Sequence, residues 1–148
     1  MVPKSENSKI SENYLDGNLK NEFFVPLVAL QKKQLTILES LIVYLHDNRK
    51  LNYHEIAVLL KRDEANVRHS FQEAKLKLLN KEFVGEKFSK IFVPVSIFAD
   101  RSVSAFEALV LYLKENSELS LQEISVLLNR SSSTVRVIYS RARKKYVK

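Results

Sequence analysis

The residues best equipped for chemistry crowd the C-terminal end of this chain. Between positions 129 and 148 stand Arg130, Arg136, Arg141, Arg143, Lys144, Lys145 and Lys148, with no acidic residue among them. Their seven charges equal the formal net charge of +7, so everything earlier in the chain sums to zero. Hydroxyls are interleaved: Ser132, Ser133, Thr134 and Ser140. Arginine presents a planar fork of donors that fits two phosphate oxygens or the paired acceptors of a guanine edge, and lysine presents a mobile point charge. No histidine lies in this segment to take a proton from a serine, so the set suits binding rather than bond breaking. A concentrated cationic stretch of this kind implies a polyanionic partner.

Binding by such residues requires a rod that holds them outward. At 3.6 residues per turn, Val135, Ile138, Tyr139 and Ala142 share one side of a helix, and Ser132, Ser133, Arg136, Val137, Ser140, Arg143 and Lys144 share the other. Ser131 is placed to cap it. The preceding segment reads as a second helix. It opens with the reciprocal cap Ser120 and Glu123 and buries Ile124, Leu127 and Leu128 around the small Ser125. The break Asn129-Arg130-Ser131 separates the two, which is the spacing of a helix-turn-helix. In that motif the early outward residues of the second helix meet base edges. Ser132, Ser133, Arg136 and Ser140 are therefore the candidate base contacts, with Arg136 placed for a bidentate bond to guanine. Arg130, Thr134, Arg141, Arg143, Lys144 and Lys145 are the candidate phosphate contacts. Together they would neutralise about five to seven phosphates.

The same grammar occurs earlier in the chain. Phe24 to Lys77 aligns without a gap on Phe92 to Lys145, with about 19 of roughly 54 positions identical. Thr36 with Glu39 and Ser104 with Glu107 open the first helix of each copy; Asn52 with Glu55 opens the second helix of copy one, and Asp63 caps its third. Leu38, Leu41, Ile42 and Leu45, like Phe106, Leu109, Val110 and Leu113, follow a buried helical face. Ile56, Leu59, Leu60, Val67, Phe71 and Ala74 complete the core of copy one. The expectation is an all-α protein: two tandem three-helix units, each containing a helix-turn-helix, with no strand. Residues 1–20 read as a disordered tail, 21–80 as the first unit, 81–91 as a linker and 92–148 as the second unit with its basic helix. Each unit begins with Phe-Val-Pro, an extended entry whose aromatics (Phe23 and Phe24, Phe92 and Phe98) are expected to tuck under the helices.

Copy one offers a weaker surface to a polyanion. Its outward residues are Arg62, Arg68, His69, Gln72 and Lys75, but Asp63, Glu64 and Glu73 accompany them. Leu76, Leu78 and Leu79 make the end of its third helix apolar on more than one side, and that end is expected to pack on the second unit or on a partner.

The stretch LSLQEISVLLNRSSSTVRVIYSRARKK, residues 119–145, resembles the fourth region of bacterial sigma factors and sigma-like helix-turn-helix regulators, and residues 51–77 resemble it more loosely. The resemblance implies a small helical domain whose last helix enters the promoter major groove. The family usually carries glycine and then an aliphatic residue at the turn, where this chain has Lys61-Arg62 and Asn129-Arg130. The function implied is double-stranded DNA binding in transcription regulation, in the cytoplasm. Alternatives are a module docking RNA polymerase or another protein through the first unit, and an RNA-binding protein.

Other chemistries find little support. The chain has no cysteine, which excludes a disulfide framework, a thiolate metal site and a thiol nucleophile. Its two glycines, Gly17 and Gly85, form no phosphate loop. His46, His54 and His69 lack metal-ligand spacing, and His46 and His54 read as exposed helix residues. The recurring glutamates read as caps. No catalytic residue, metal or cofactor is expected, and no apolar run is long enough for a membrane span.

Overall fold

The computed structural model describes residues 23–79 and 90–146. The tail expected over 1–20, nearly all of the linker expected over 81–91, and Lys148 lie outside the described residues. The N-terminal half runs β1 (Phe24–Pro26), a 3-10 turn (Leu27–Leu30), α1 (Ile37–Val43) continued by a π turn (Tyr44–Asn48), α2 (Tyr53–Leu60) and α3 (Glu64–Leu79). The C-terminal half runs β2 (Phe92–Pro94), a 3-10 turn (Val95–Ala99), α4 (Ala105–Asn116), α5 (Leu121–Leu128) and α6 (Ser132–Tyr146).

The helices begin where local chemistry says they must. All four reciprocal caps form. The Thr36 N–H donates to Glu39 Oε1 at 2.9 Å and the Glu39 N–H to Thr36 Oγ1 at 3.0 Å. Asn52 with Glu55, Ser104 with Glu107 and Ser120 with Glu123 repeat the exchange. Each cap contributes about 1 kcal/mol by satisfying amides that the helix cannot pair itself.

The exit from α2 and from α5 is equally defined. Lys61 sits at φ 55°, ψ 48° and Asn129 at φ 58°, ψ 44°, both left-handed. The next residue reaches back: the Arg62 N–H donates to the Ala57 carbonyl at 2.9 Å, and the Arg130 N–H to that of Ser125 at 3.0 Å. These are Schellman closures, and they require the left-handed residue. Asparagine enters that region readily, whereas lysine does so at a cost of roughly 1 kcal/mol. The usual glycine is therefore replaced at both turns without loss of the turn geometry.

The entry segments correct the expectation of a chain without strands. β1 and β2 pair antiparallel, with Val25 opposite Val93 and each Phe opposite the other's Pro. The Leu27 N–H donates to the Ile91 carbonyl and the Val95 N–H to that of Phe23, both at 2.9 Å, extending the ribbon at each end. Alternation on the ribbon decides the aromatics. Val25 and Val93 point inward and are fully buried, so Phe24 and Phe92 point outward at 45% and 53% exposure. Of the four aromatics expected to tuck under the helices, Phe23 and Phe98 do so; Phe24 and Phe92 do not.

α1 lies on α3 and α4 lies on α6, while α1 also meets α4, and α2 meets the 3-10 turn of the other half. One continuous core results. Leu41, Leu45, Ile56 and Leu60 share it with Leu109, Leu113, Ile124 and Leu128. Of the three leucines expected to pack at the end of α3, Leu76 and Leu79 are 58% and 78% exposed and only Leu78 is half-buried. His46 is also corrected. It is half-buried, stacked 5.2 Å from the Tyr53 ring and 4.3 Å from that of Phe71, with Nδ1 3.1 Å from Asp47 Oδ1. His54 is exposed, 3.4 Å from Glu64.

Candidate nucleic-acid interface

α6 is fixed by its underside. Val135 and Ala142 are fully buried and Ile138 and Tyr139 half-buried, packed mainly on α4 and on α5. Ser131 organises the first turn: its hydroxyl donates to Thr134 Oγ1 at 2.7 Å and accepts from the Thr134 N–H at 3.2 Å. That leaves Ser133, Thr134, Arg136, Val137, Ser140, Arg141, Arg143 and Lys144 exposed, with Ser132 half-buried at the helix start. Arg136, Arg141, Arg143 and Lys144 form no ion pair among the described residues. Arg143 lies 5.8 Å over the Tyr139 ring, which stiffens a long side chain without using up its charge.

Two of the expected phosphate contacts are committed elsewhere. The Arg130 guanidinium is turned inward and donates to the carbonyls of Leu128 at 3.0 Å, Leu35 at 2.8 Å and Lys32 at 3.4 Å. Burial pushes it below the ordinary arginine value. Its place is that of a tether between the turn and the segment before α1. Lys145 donates to Glu107 Oε1 at 2.7 Å. Burial alone would raise the Glu107 carboxyl; Lys145 and the cap bonds from Ser104 more than offset this and hold it below the usual carboxylate range. At the end of α6 the Tyr146 hydroxyl donates to Asp100, and burial together with that bond pushes it up to about 12.

The corresponding face of α3 is differently furnished. Arg68 is 3.2 Å from Glu64 and lies 5.3 Å over Tyr53. Lys75 is hydrogen-bonded to Asp47 and lies 5.2 Å over Phe71. Lys77 contacts both Glu39 oxygens at 2.8 and 2.9 Å. His69 and Gln72 are exposed. Arg62 is not on this face: it is half-buried in a cleft beside Arg101, with its Nε lacking a hydrogen-bond partner among the described residues. Arg62 thus leaves the weaker DNA surface expected of the first half.

Sequence reasoning missed the ion pairs from Glu39 and Glu107. The signal was present, since Lys77 and Lys145 recur with them, but a cap already accounted for both glutamates. Among the described residues no helix is long and apolar enough to cross a membrane, and no group of His, Asp and Glu is arranged to hold a metal.

Residues 107–145 match the model of the family described as Sigma-70, region 4. The match begins at Glu107, in the first turn of α4, and ends at Lys145, so it takes in the rest of α4, the α5–α6 turn and most of the exposed basic helix. No curated protein and no solved structure is significantly similar to the chain.

Proposed function

We propose that the chain binds double-stranded DNA as a transcriptional regulator of the cytoplasm, with α6 lying in the major groove. The observation that carries this reading is the outward face of α6. It is rigidly held from below, bears four cations free of acids, and belongs to a sigma region 4-like helix-turn-helix. Arg136, with Ser132, Ser133 and Ser140, reads base edges. Arg141, Arg143 and Lys144 hold phosphates, with Thr134 beside them. The two halves act as tandem copies of one helix-turn-helix unit. Their support is the shared sequence register, the paired caps and the matching left-handed turns at Lys61 and Asn129.

The salt dependence of binding tests this. With Arg130 and Lys145 engaged internally, about four cations remain, and the log–log slope is expected near −3.5 rather than the steeper value of the full cationic set. A flat response, or a structured RNA outcompeting duplex DNA at equal length, defeats the reading.

A second reading concerns the N-terminal half. The exposed Leu76 and Leu79 at the end of α3, beside a face whose cations are already paired, suit contact with RNA polymerase or another protein. Retention of such a partner at high salt after nuclease treatment, lost on Leu79→Ser, checks it.

A further inference from the structure

Between the two halves lies a cleft of about 680 Å³, away from the outward face of α6. Its walls are the segment before α1, the starts of α1 and α4, the Arg62 and Arg130 turns, and the inner sides of α3 and α6. Six cations line it: Lys33, Arg62, Lys77, Arg101, Arg130 and Lys145. Lys77 and Lys145 have their glutamates. The other four have no carboxylate partner among the described residues.

Gathering like charges without acids is unfavourable in the protein alone. The cost is visible at Arg62. Burial, and then the like charge of Arg101, push its guanidinium below the ordinary value. Its buried Nε donor has no partner among the described residues. Arg101 spends one donor on the Lys61 carbonyl at 2.9 Å, and Arg130 spends its donors on backbone carbonyls. Carbonyls orient a guanidinium but cancel none of its charge. The structural work of these arginines therefore leaves the electrostatic debt in place, and an anion of two or more charges would settle it. The floor is apolar, with Leu38, Val103, Phe106 and Ile138, which the convex backbone of a duplex would not use. The volume falls within the range of small-molecule sites, roughly 300–1,000 Å³.

We propose that this cleft binds the diphosphate or triphosphate group of a small ligand, held by Arg62, Arg101 and Lys33, with the remainder of the ligand on the apolar floor. The fork geometry of arginine suits this bidentate capture. Because α1, α4 and both turns meet there, occupancy would tie the two halves together.

The probe is inorganic pyrophosphate, titrated calorimetrically into the full chain without DNA at low ionic strength. Binding is expected, weakened at least tenfold by Arg62→Gln and by Arg101→Gln separately. Arg62→Gln should also raise the melting temperature of the ligand-free protein, since it removes a half-buried like charge; this separates loss of a ligand contact from loss of fold. Arg136→Ala is expected to leave pyrophosphate affinity unchanged while impairing duplex binding, so the two readings fail independently. No binding by the unmodified chain overturns the proposal. So does unchanged affinity in both cleft variants, or an equal loss in Arg136→Ala, which would place the anion on α6.

Discussion

α3 and α6 occupy corresponding places in the two halves, yet they present opposite electrostatics. Both are anchored by a buried valine, Val67 or Val135, and a buried alanine about two turns further on, Ala74 or Ala142. Both send a lysine back to the capping glutamate of an earlier helix. On the outward face they part. Arg68 and Lys75 are paired with Glu64 and Asp47, while Arg136 and Arg143, at the same register, have no acidic partner among the described residues. A phosphate approaching α3 must displace an existing partner and meets the remaining acids; one approaching α6 displaces only water. The comparison shows that two helices in corresponding places can keep one geometry while a few surface pairings set how much unpaired charge each presents.

The sharpest way to break this comparison is to truncate the two equivalent arginines. Arg136→Ala is expected to cost about 2 kcal/mol on a selected duplex and much less on random duplex, because the proposed bidentate base contact would be lost. Arg68→Ala should change duplex affinity by less than twofold. Fluorescence anisotropy on both duplexes checks this, and equal losses for the two variants would erase the distinction between the halves.

The second comparison concerns Glu107. Glu107→Gln preserves the shape of the cap but removes the charge that holds Lys145, and is expected to destabilise by about 1.5 kcal/mol in urea unfolding near neutral pH. The sign with pH is set by the lowered carboxyl of Glu107. Its contribution is present above the unfolded carboxylate value and is lost as pH falls through the lower folded one, so the difference between variant and parent should vanish in acid. The same substitution frees Lys145, and the salt slope of duplex binding should steepen by about one unit. An unchanged slope would show that Lys145 does not reach phosphate even when released.

The smallest expected effect lies at the turns. Lys61→Gly should stabilise by about 1 kcal/mol, and Asn129→Gly by no more than a few tenths, since asparagine already tolerates the left-handed backbone. Thermal melts of the two variants test whether the N-terminal turn carries more strain than the C-terminal one.

Much of this protein was legible from the chain itself. The four caps pair residues only three positions apart, and the buried faces follow helical spacing, so each is governed by nearest neighbours. The outward set Ser133, Arg136, Ser140 and Lys144 follows from the same geometry once Val135 and Ala142 are known to be buried. Local reasoning failed where a residue had two possible duties. Arg130 reads as a cation beside a basic helix until the Leu35 carbonyl arrives from 95 positions away. His46 reads as exposed until Phe71 closes over it.

The amino-acid order by itself determined where helices begin, which face each buries, and that the positive charge is concentrated in α6, because these depend on backbone amides and side chains within a turn or two. Only the tertiary structure decided that the Phe-Val-Pro segments pair as strands and that Arg62, Arg101 and Arg130 converge on one cleft. Those outcomes join segments tens of residues apart. The packing of one shared core brings the segments together, and no spacing along the chain encodes that distance.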